Sequence, residues 1–203
     1  DARAVDLLEE AATALGESDA ELRARVLGGL ARALDLRGER ERAALARDES
    51  IAMSRRRGDR HSLAATLAAA YWSRGVSTTD DVLQMLLEAR QLSEELGDME
   101  VRGDASAWLV PTYVVLCDHD AARDALARAF AITRQLSQPF LHHVAEHYAA
   151  ALALCDGDLA AAEAAALRSY EWGRLLTGRD ASGTYGIQMF SIRREQGRVG
   201  ERA

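Results

Sequence analysis

The chain of 203 residues is acidic, and its composition favours helices. Its 25 basic residues, all Arg, and its 32 acidic residues give a formal net charge of −7, so the chain has no electrostatic drive toward a nucleic-acid backbone. Hydrophobic residues make up 48% of the chain and only two residues are Pro, which predicts a mainly helical protein with a filled core. No apolar run approaches the roughly 18 residues that a membrane-spanning helix needs. We therefore predict a cytoplasmic protein with no nucleic-acid partner and no membrane partner.

Turn signals predict a repeated helical hairpin. One series consists of Gly58-Asp59, Gly97-Asp98, Ser137-Gln138-Pro139 and Gly178-Arg179-Asp180. A second, interleaved series consists of Gly38, Gly75, Asp118, Gly157 and Gly197. Both series advance by about 40 residues, so each period contains two helices of similar length. In the Gly-Asp pairs, the Gly is expected to end one helix and the Asp to cap the next.

The second helix of each predicted hairpin has an apolar seam. Val82, Met85, Ala89, Leu92 and Leu96 are 3, 4, 3 and 4 residues apart, which places them on one helix face. Shifts of 39 to 40 residues give the corresponding seams, namely Ala43, Ala46, Ser50 and Met53, then Ala122, Ala125, Ala129, Ile132 and Leu136, and then Ala162, Ala165, Ser169, Trp172 and Leu176. The sequence thus predicts an all-α solenoid of about ten helices, built from tetratricopeptide-like hairpins in a single domain over residues 1–203.

Pro111 interrupts one of the predicted helices and is expected to break or kink it. The two cysteines, Cys117 and Cys155, belong to no C-x-x-C pair, and we predict that they are small core-filling residues. They should also stay reduced, because equivalent backbones of adjacent hairpins lie roughly 10 Å apart, beyond the limit of about 7 Å for a disulfide.

One short motif is compatible with metal-dependent catalysis. His143, Glu146 and His147 form an H-x-x-E-H pattern, in which two His one helical turn apart can bind Zn²⁺ while the Glu activates water. No further ligand can be identified in a recognisable context, so we predict no bound metal, and a metal-dependent hydrolase is an alternative function. Because neither a P-loop nor a G-x-S-x-G motif occurs, we predict no cofactor and no catalytic residue.

Aromatic and imidazole side chains on the first helices of the hairpins are the predicted partner-binding residues. They are Tyr71, Trp72, Trp108, His143 and His147. In tetratricopeptide-like stacks the first helices line the concave wall, where such side chains offer a large contact area at little entropic cost. Packing between hairpins is the alternative for each of them.

The sequence resembles the helical-repeat region of large actinobacterial ATPase regulators. The resemblance rests on the apolar pattern from Leu8 to Leu34, on the Gly-Asp pairs, and on the segment from Gln188 to Arg198. These regulators, similar in plan to the maltose-regulon activator, join a nucleotide-binding ATPase to tetratricopeptide-like repeats, often with a LuxR-type DNA-binding domain or a nucleotide-cyclase domain. The resemblance implies a sensor or assembly segment of a transcriptional regulator that contributes no catalytic residue.

We therefore expect a noncatalytic protein-interaction or signal-sensing module that is a fragment of a longer protein. The expected partner is a protein or peptide, including the ATPase domain of the same parent protein. A small-molecule inducer and a homo-oligomer are also compatible with this interpretation. A purely structural dimerisation segment is the remaining alternative.

Overall fold

The structure, a computed structural model, describes residues 2–16, 21–176 and 181–200. Over these residues it contains ten α-helices and no β-strand, so the predicted all-α fold class is confirmed. The chain divides into two compact units, Asp1–Leu116 and Cys117–Ala203. The predicted turn at Gly178-Arg179-Asp180 lies outside the described residues. None of the described helices is long and apolar enough to cross a membrane.

In its described residues, unit 1 contains six α-helices and a 3₁₀ turn. They are α1 (Ala2–Ala14), α2 (Glu21–Leu36), α3 (Arg40–Arg57), α4 (Arg60–Ala68), the 3₁₀ turn (Ala69–Trp72), α5 (Thr79–Leu96) and α6 (Met99–Val115). Helices that are adjacent in sequence pack on each other, and α4 also contacts both α2 and α6. The helices α2, α4 and α6 therefore form a continuous row.

Over its described residues, unit 2 contains four α-helices. They are α7 (His119–Thr133), α8 (Pro139–Cys155), α9 (Leu159–Gly173) and α10 (Ala181–Glu195). Helix α8 contacts all three of the others. Its first residue is Pro139, which suits this position because the first N–H of a helix needs no partner within it.

Aspartate caps begin several helices at the predicted turns. The carboxylates of Asp59, Asp98 and Asp158 each accept a hydrogen bond from the backbone N–H three residues later, at 2.9–3.0 Å. The Gly before each Asp has a positive φ, between 68° and 76°. The Gly-Asp pairs are therefore helix caps, as predicted.

Most residues of the predicted seams are buried. They are Ala43, Ala46, Ser50 and Met53 in α3, Val82 and Ala89 in α5, Ala122, Ala125, Ala129 and Ile132 in α7, and Ala162, Ala165 and Ser169 in α9. The last residues of three seams, Leu96, Leu136 and Leu176, are only partly buried. They lie at or beyond the ends of their helices, where less of the neighbouring helix covers them.

In α5, the large side chains that are buried differ from those that the predicted seam contains. The fully buried large residue is Leu86, which the predicted seam omits. Met85 and Leu92 lie at the edge of the same core. The apolar face of α5 is wider than one seam because this helix packs on both α4 and α6.

Pro111 does not break its helix, which corrects the first of the two outcomes expected for it. Helix α6 runs from Met99 through Pro111 to Val115. Pro111 is itself buried, together with Leu109 and Val110, neither of which exposes any surface. Tertiary packing on both sides of the proline therefore outweighs the loss of one backbone hydrogen bond.

Both cysteines are exposed, so the prediction that they fill the core is wrong. Cys155 is the last residue of α8, and Cys117 directly precedes Asp118, the N-cap of α7. Apolar neighbours in the sequence do not imply burial here, because both residues lie at helix ends. Cys117 has a φ of 59° and is the only described residue other than Gly with a positive φ. It occupies the place that Gly takes in the Gly-Asp pairs.

A buried arginine fastens the irregular segment that follows the 3₁₀ turn. Arg47 of α3 is 3% exposed. Its Nη1 donates to the backbone carbonyls of Ser73 and Arg74, at 2.8 and 2.7 Å. Its Nε and Nη2 donate to the Asp48 carboxylate, at 3.0 and 2.8 Å. The guanidinium thus satisfies two carbonyls that belong to no helix and holds this segment against α3.

Gly75 lets the same segment approach α3 closely. Its φ is +58°, and a Cβ atom there would lie 2.6 Å from the Arg40 carbonyl oxygen and 2.8 Å from Ala44 Cβ. Any side chain would therefore push the segment away from α3 and from Arg47. Gly97 has a similar φ of +71°, but a Cβ atom there would meet no other heavy atom within 4 Å.

We expect Gly75→Ala to destabilise the protein by several kcal/mol more than Gly97→Ala. A left-handed conformation costs any L-residue roughly 1–2 kcal/mol, and both variants carry that cost. Only Gly75→Ala adds a collision with backbone atoms of α3. Urea unfolding of the two variants measures the difference. Equal losses of stability would show that the segment does not depend on this close approach.

Cys117→Gly should stabilise the protein by about 1 kcal/mol, because Gly adopts the left-handed conformation without a steric cost. Cys155→Gly is the matched control, since the same replacement at the last residue of α8 should give no gain and destabilise by roughly 0.3 kcal/mol. Thermal unfolding under reducing conditions measures both effects. A loss of stability on Cys117→Gly would contradict the assigned backbone conformation.

Candidate binding groove

Three of the predicted partner-binding residues form one aromatic cluster in unit 1. The rings of Tyr71 and Trp108 are stacked, with centroids 5.1 Å apart and an interplanar angle of 11°. Trp72 meets both rings edge-on, at 5.4 and 5.0 Å. The guanidinium of Arg74 lies over Tyr71, 5.3 Å from the ring centroid. The cluster joins α6 to the 3₁₀ turn and leaves Tyr71 and Trp72 partly exposed.

The expectation that Trp108 offers its ring to a partner is corrected by its burial. Trp108 is 5% exposed, because Tyr71 and Trp72 cover it. Its role is to support the two outer rings. Substitution of Trp108 should therefore alter stability as well as any binding.

One face of α2 lines two recesses that follow each other along the helix. Its lining residues are Arg25, Gly28, Gly29, Arg32, Asp35 and Leu36. They recur every three to four residues and so lie on successive turns of the same face. The opposite wall consists of Ser62, Ala65, Thr66 and Ala69, followed by Tyr71, Trp72 and Arg74.

We call this feature the α2–α4 groove. Its first recess has a volume of about 230 Å³ and its second, beside the aromatic cluster, about 410 Å³. At the first recess Gly28 allows α2 and α4 to approach closely, since a Cβ there would lie 3.1 Å from Thr66 Oγ1. The groove therefore combines a narrow basic section with a wider aromatic section.

The charge of the groove is mainly positive. Arg25 and Arg32 are exposed, and Arg25 has no ion-pair partner among the described residues. Arg32 acts electrostatically on one carboxylate of unit 1, that of Asp104 on α6. Burial raises the pKa of Asp104 to about 6, Arg32 opposes this shift, and Glu100 adds to it. Asp104 therefore carries only part of a negative charge near pH 6, whereas at neutral pH it is mostly ionised.

The predicted residues of unit 2 lie on α8. His143 is 9% exposed, and its Nδ1 lies 2.9 Å from the carbonyl oxygen and 3.1 Å from the hydroxyl of Ser169 on α9. A Cβ on Gly173 would lie 2.9 Å from the same Nδ1. His143 is therefore a packing residue between α8 and α9, which corrects its prediction as an accessible partner-binding residue.

The remaining members of the H-x-x-E-H motif point to separate neighbours. Glu146 accepts a hydrogen bond from Arg168 Nε at 2.9 Å. His147 is partly exposed, and its ring centroid lies 6.4 Å from that of His143. Burial and the neighbouring His143 lower the pKa of His147, while the Gln188 amide beside it acts in the opposite direction. Within residues 2–16, 21–176 and 181–200, no group of three or more His, Cys, Asp or Glu is placed to hold a metal ion.

Sequence reasoning missed Arg25, Arg32 and Asp104. The available signal was the spacing of Arg25, Gly29 and Arg32, since two arginines two turns apart flank a glycine on one helix face. All basic residues of this chain are Arg, so many pairs of arginines have such a spacing. Only the position of the neighbouring helix shows that this pair borders a recess.

The described residues thus form an all-helical protein with an open groove between α2 and α4. No family model and no curated protein matches the sequence. Among solved structures, the chain is similar to the crystal structure of BtubC (BKLC) from P. vanneervenii, with 18% sequence identity and a TM-score of 0.68. The similarity covers 98% of this chain and 82% of that chain. At this level of identity it supports the fold alone.

Asp104→Asn should remove a pH dependence of stability. The pKa of Asp104 in the folded protein, about 6, is above its ordinary value of 3.8, so the folded state binds this proton more tightly. The parent protein should therefore lose stability as pH rises through the window from about 4 to 6, on the order of 2 kcal/mol relative to Asp104→Asn.

Unfolding free energies measured by urea titration between pH 4 and 7 test this expectation. Asp124→Asn is the control, because Asp124 is exposed on α7 and should leave the pH profile of the parent unchanged. Parallel profiles for the parent and Asp104→Asn would contradict the assigned environment of Asp104.

Proposed function

We propose that this chain is a noncatalytic, cytosolic peptide-binding module, an α-solenoid of tetratricopeptide-like hairpins with a repeat of about 40 residues. The starts of the second helices support the repeat, since α3, α5, α7 and α9 begin at residues 40, 79, 119 and 159. Contacts of α2 with α4, of α4 with α6 and of α8 with α10 are those expected of successive first helices in such a stack.

A recurring hydrogen bond also supports the repeat. Ser50 Oγ donates to the Ala24 carbonyl between α3 and α2, at 2.7 Å. Ser169 Oγ donates to the His143 carbonyl between α9 and α8, at 3.0 Å. In both hairpins the two residues are 26 positions apart. The two helix pairs thus place equivalent residues in contact.

The observation that carries the binding proposal is the α2–α4 groove. The groove lies on first helices, and it has exposed arginines at one end and partly exposed aromatic rings at the other. Arg25 and Leu36 are 11 residues apart on α2, a length of about 16 Å at 1.5 Å per residue. At roughly 3.3 Å per residue, this length matches about five residues of extended peptide. The best ligand is a peptide with acidic residues followed by an apolar residue.

Tyr71 and Trp72 are the proposed aromatic contacts of this peptide. Trp108 contributes by holding their rings, and Leu36 provides a further apolar surface, since it is 64% exposed. The charge pattern gives the peptide a direction, because the arginines and the aromatic rings occupy different recesses.

The resemblance to ATPase-linked transcriptional regulators suggests the wider setting. In that setting the groove would receive a segment of the ATPase domain of the same parent protein or of a signalling partner. The gene sequence that flanks these residues tests this setting directly. A P-loop upstream would support it, and flanking domains of another class would oppose it.

Fluorescence anisotropy with labelled pentapeptides tests the groove. The probe has three Glu followed by Leu and Trp, and its counterpart has Lys in place of each Glu. We expect the acidic peptide to bind the 203-residue chain and the basic peptide to bind at least about tenfold more weakly, with an affinity for the acidic peptide that falls as salt is added.

Arg32→Glu should weaken binding of the acidic peptide by about tenfold or more, because it replaces an attraction by a repulsion. Arg128→Glu is the matched control, since Arg128 is also exposed but lies on α7 in unit 2. It makes the same change in net charge and should leave the affinity nearly unchanged. Equal effects of the two variants, or equal binding of the two peptides, would exclude the groove as the binding site.

A further inference from the structure

The second recess of the α2–α4 groove is lined by two charged side chains of opposite sign. Asp35 lies in the last turn of α2, and Arg74 follows the 3₁₀ turn. Both side chains are partly exposed, so a molecule in the recess can reach them. The rest of the lining consists of Leu36, Tyr71 and Trp72. The volume of about 410 Å³ is within the range of roughly 300–1,000 Å³ for small-molecule sites.

Neither charged group has a counter-charge in the described part of the chain. The guanidinium of Arg74 lies over the Tyr71 ring, and no described residue forms an ion pair with it. The Asp35 carboxylate has neither an ion pair nor a hydrogen bond among residues 2–16, 21–176 and 181–200. Charged groups that lose contact with water are usually compensated by an opposite charge. Two uncompensated charges at one recess therefore indicate a ligand that carries both signs.

The fold places the two charged groups on separate elements. Arg47 Nη1 donates to the Arg74 carbonyl at 2.7 Å, which holds the backbone of Arg74 against α3, and the Tyr71 ring supports its guanidinium. Asp35 belongs to α2. Its carboxylate opposes the dipole of α2, because the C-terminal end of a helix favours cations. A bound ammonium group would supply the counter-charge of Asp35 and offset this repulsion.

These features define the chemistry of the ligand. A guanidinium binds a carboxylate through two parallel hydrogen bonds, and the Asp35 carboxylate can accept hydrogen bonds from an ammonium group. A free α-amino acid has both charged groups on one carbon atom, whereas the backbone of a residue within a peptide chain has neither. Leu36, which is 64% exposed, and the partly exposed ring of Trp72 offer an apolar surface beside the two charges.

We propose that the second recess of the α2–α4 groove is a binding site for a free α-amino acid with an aromatic side chain. Arg74 binds its carboxylate, Asp35 binds its ammonium group, and Leu36 and Trp72 contact its ring. An aromatic side chain fits best because it adds a ring contact with Trp72. The site does not depend on the peptide proposal, since the arginines of the first recess take no part in it. When a peptide occupies the groove, its apolar residue and the amino acid compete for this recess.

Phenylalanine, phenylpropionate and phenylethylamine are matched probes. Phenylpropionate has the same ring and carboxylate but no ammonium group, and phenylethylamine has the ring and the ammonium group but no carboxylate. Saturation-transfer NMR and calorimetric titration of the 203-residue chain at neutral pH, without peptide, measure binding. We expect phenylalanine to bind with a dissociation constant below about 5 mM, in the range for a ligand of this size. Each of the other probes should bind at least about tenfold more weakly.

Asp35→Asn should weaken phenylalanine binding by at least about tenfold. It should leave phenylpropionate binding unchanged, because phenylpropionate has no ammonium group. The melting temperature should be retained or raised, since the variant removes a charge that opposes the helix dipole. Asp124→Asn is the matched control, because Asp124 is exposed on α7 and does not line the recess.

Arg74→Gln provides a second test if Asp35→Asn does not fold. It should weaken the binding of phenylalanine and of phenylpropionate but not that of phenylethylamine, which has no carboxylate. Arg128→Gln, on α7, is its control. Absence of phenylalanine binding to the parent, equal binding of either probe that lacks one charge, or full affinity for phenylalanine in either recess variant would overturn the proposal.

Discussion

The buried guanidinium of Arg47 holds the part of unit 1 on which the groove depends. The 3₁₀ turn and the segment after it supply few hydrogen bonds of their own, and Arg47 binds the carbonyls of Ser73 and Arg74 directly. Tyr71 and Trp72 directly precede these carbonyls in sequence. A neutral replacement of Arg47 would leave the Ser73 carbonyl without a partner, at a cost of about 1–3 kcal/mol for a buried unpaired group, whereas the Arg74 carbonyl would keep its hydrogen bond from the Ser77 N–H. Arg47 on α3 and Trp108 on α6 therefore hold the aromatic end of the groove from two sides.

Helix approach within the hairpins depends on small residues at one recurring position. Ser50, Ala89, Ala129 and Ser169 are separated by 39 to 40 residues, and each is at most 3% exposed. In the α2–α3, α4–α5 and α8–α9 pairs, a small side chain here lets the two helices pack closely, because interaxial distance is determined by the residues at the contact. Where the residue is Ser, its hydroxyl also bonds to a carbonyl of the neighbouring helix. The first requirement at this position is therefore a small side chain. A hydrogen bond to the neighbouring helix is added only where the residue is Ser and its hydroxyl reaches a carbonyl.

Periodicity and turn chemistry predict much of the fold, because both act within a helix or a turn. The N-caps at Asp59 and Asp98 and the buried face of α3 and α7 follow from residues that are close in sequence. The site follows less well. A sequence pattern shows that Trp108 and His143 lie on a helix, but only the neighbouring helix decides whether Tyr71 or Ser169 covers them. The exposed position of Cys117 could not be predicted either, since it occupies a turn where Gly is usual.

A single exposed arginine does not indicate a function in this chain, whereas the arrangement of several arginines on one helix face does. Several arginines form cross-helix ion pairs at similar sequence separations, as in Arg55 with Glu88 and Arg123 with Asp156. Exposed pairs of this kind contribute about 0–1 kcal/mol each, so they add little to the stability of the fold. An exposed arginine outside such a pair is not informative by itself. Arg25 and Arg32 differ because they flank one recess on one helix face, where two positive charges act on the same ligand segment and their attractions add.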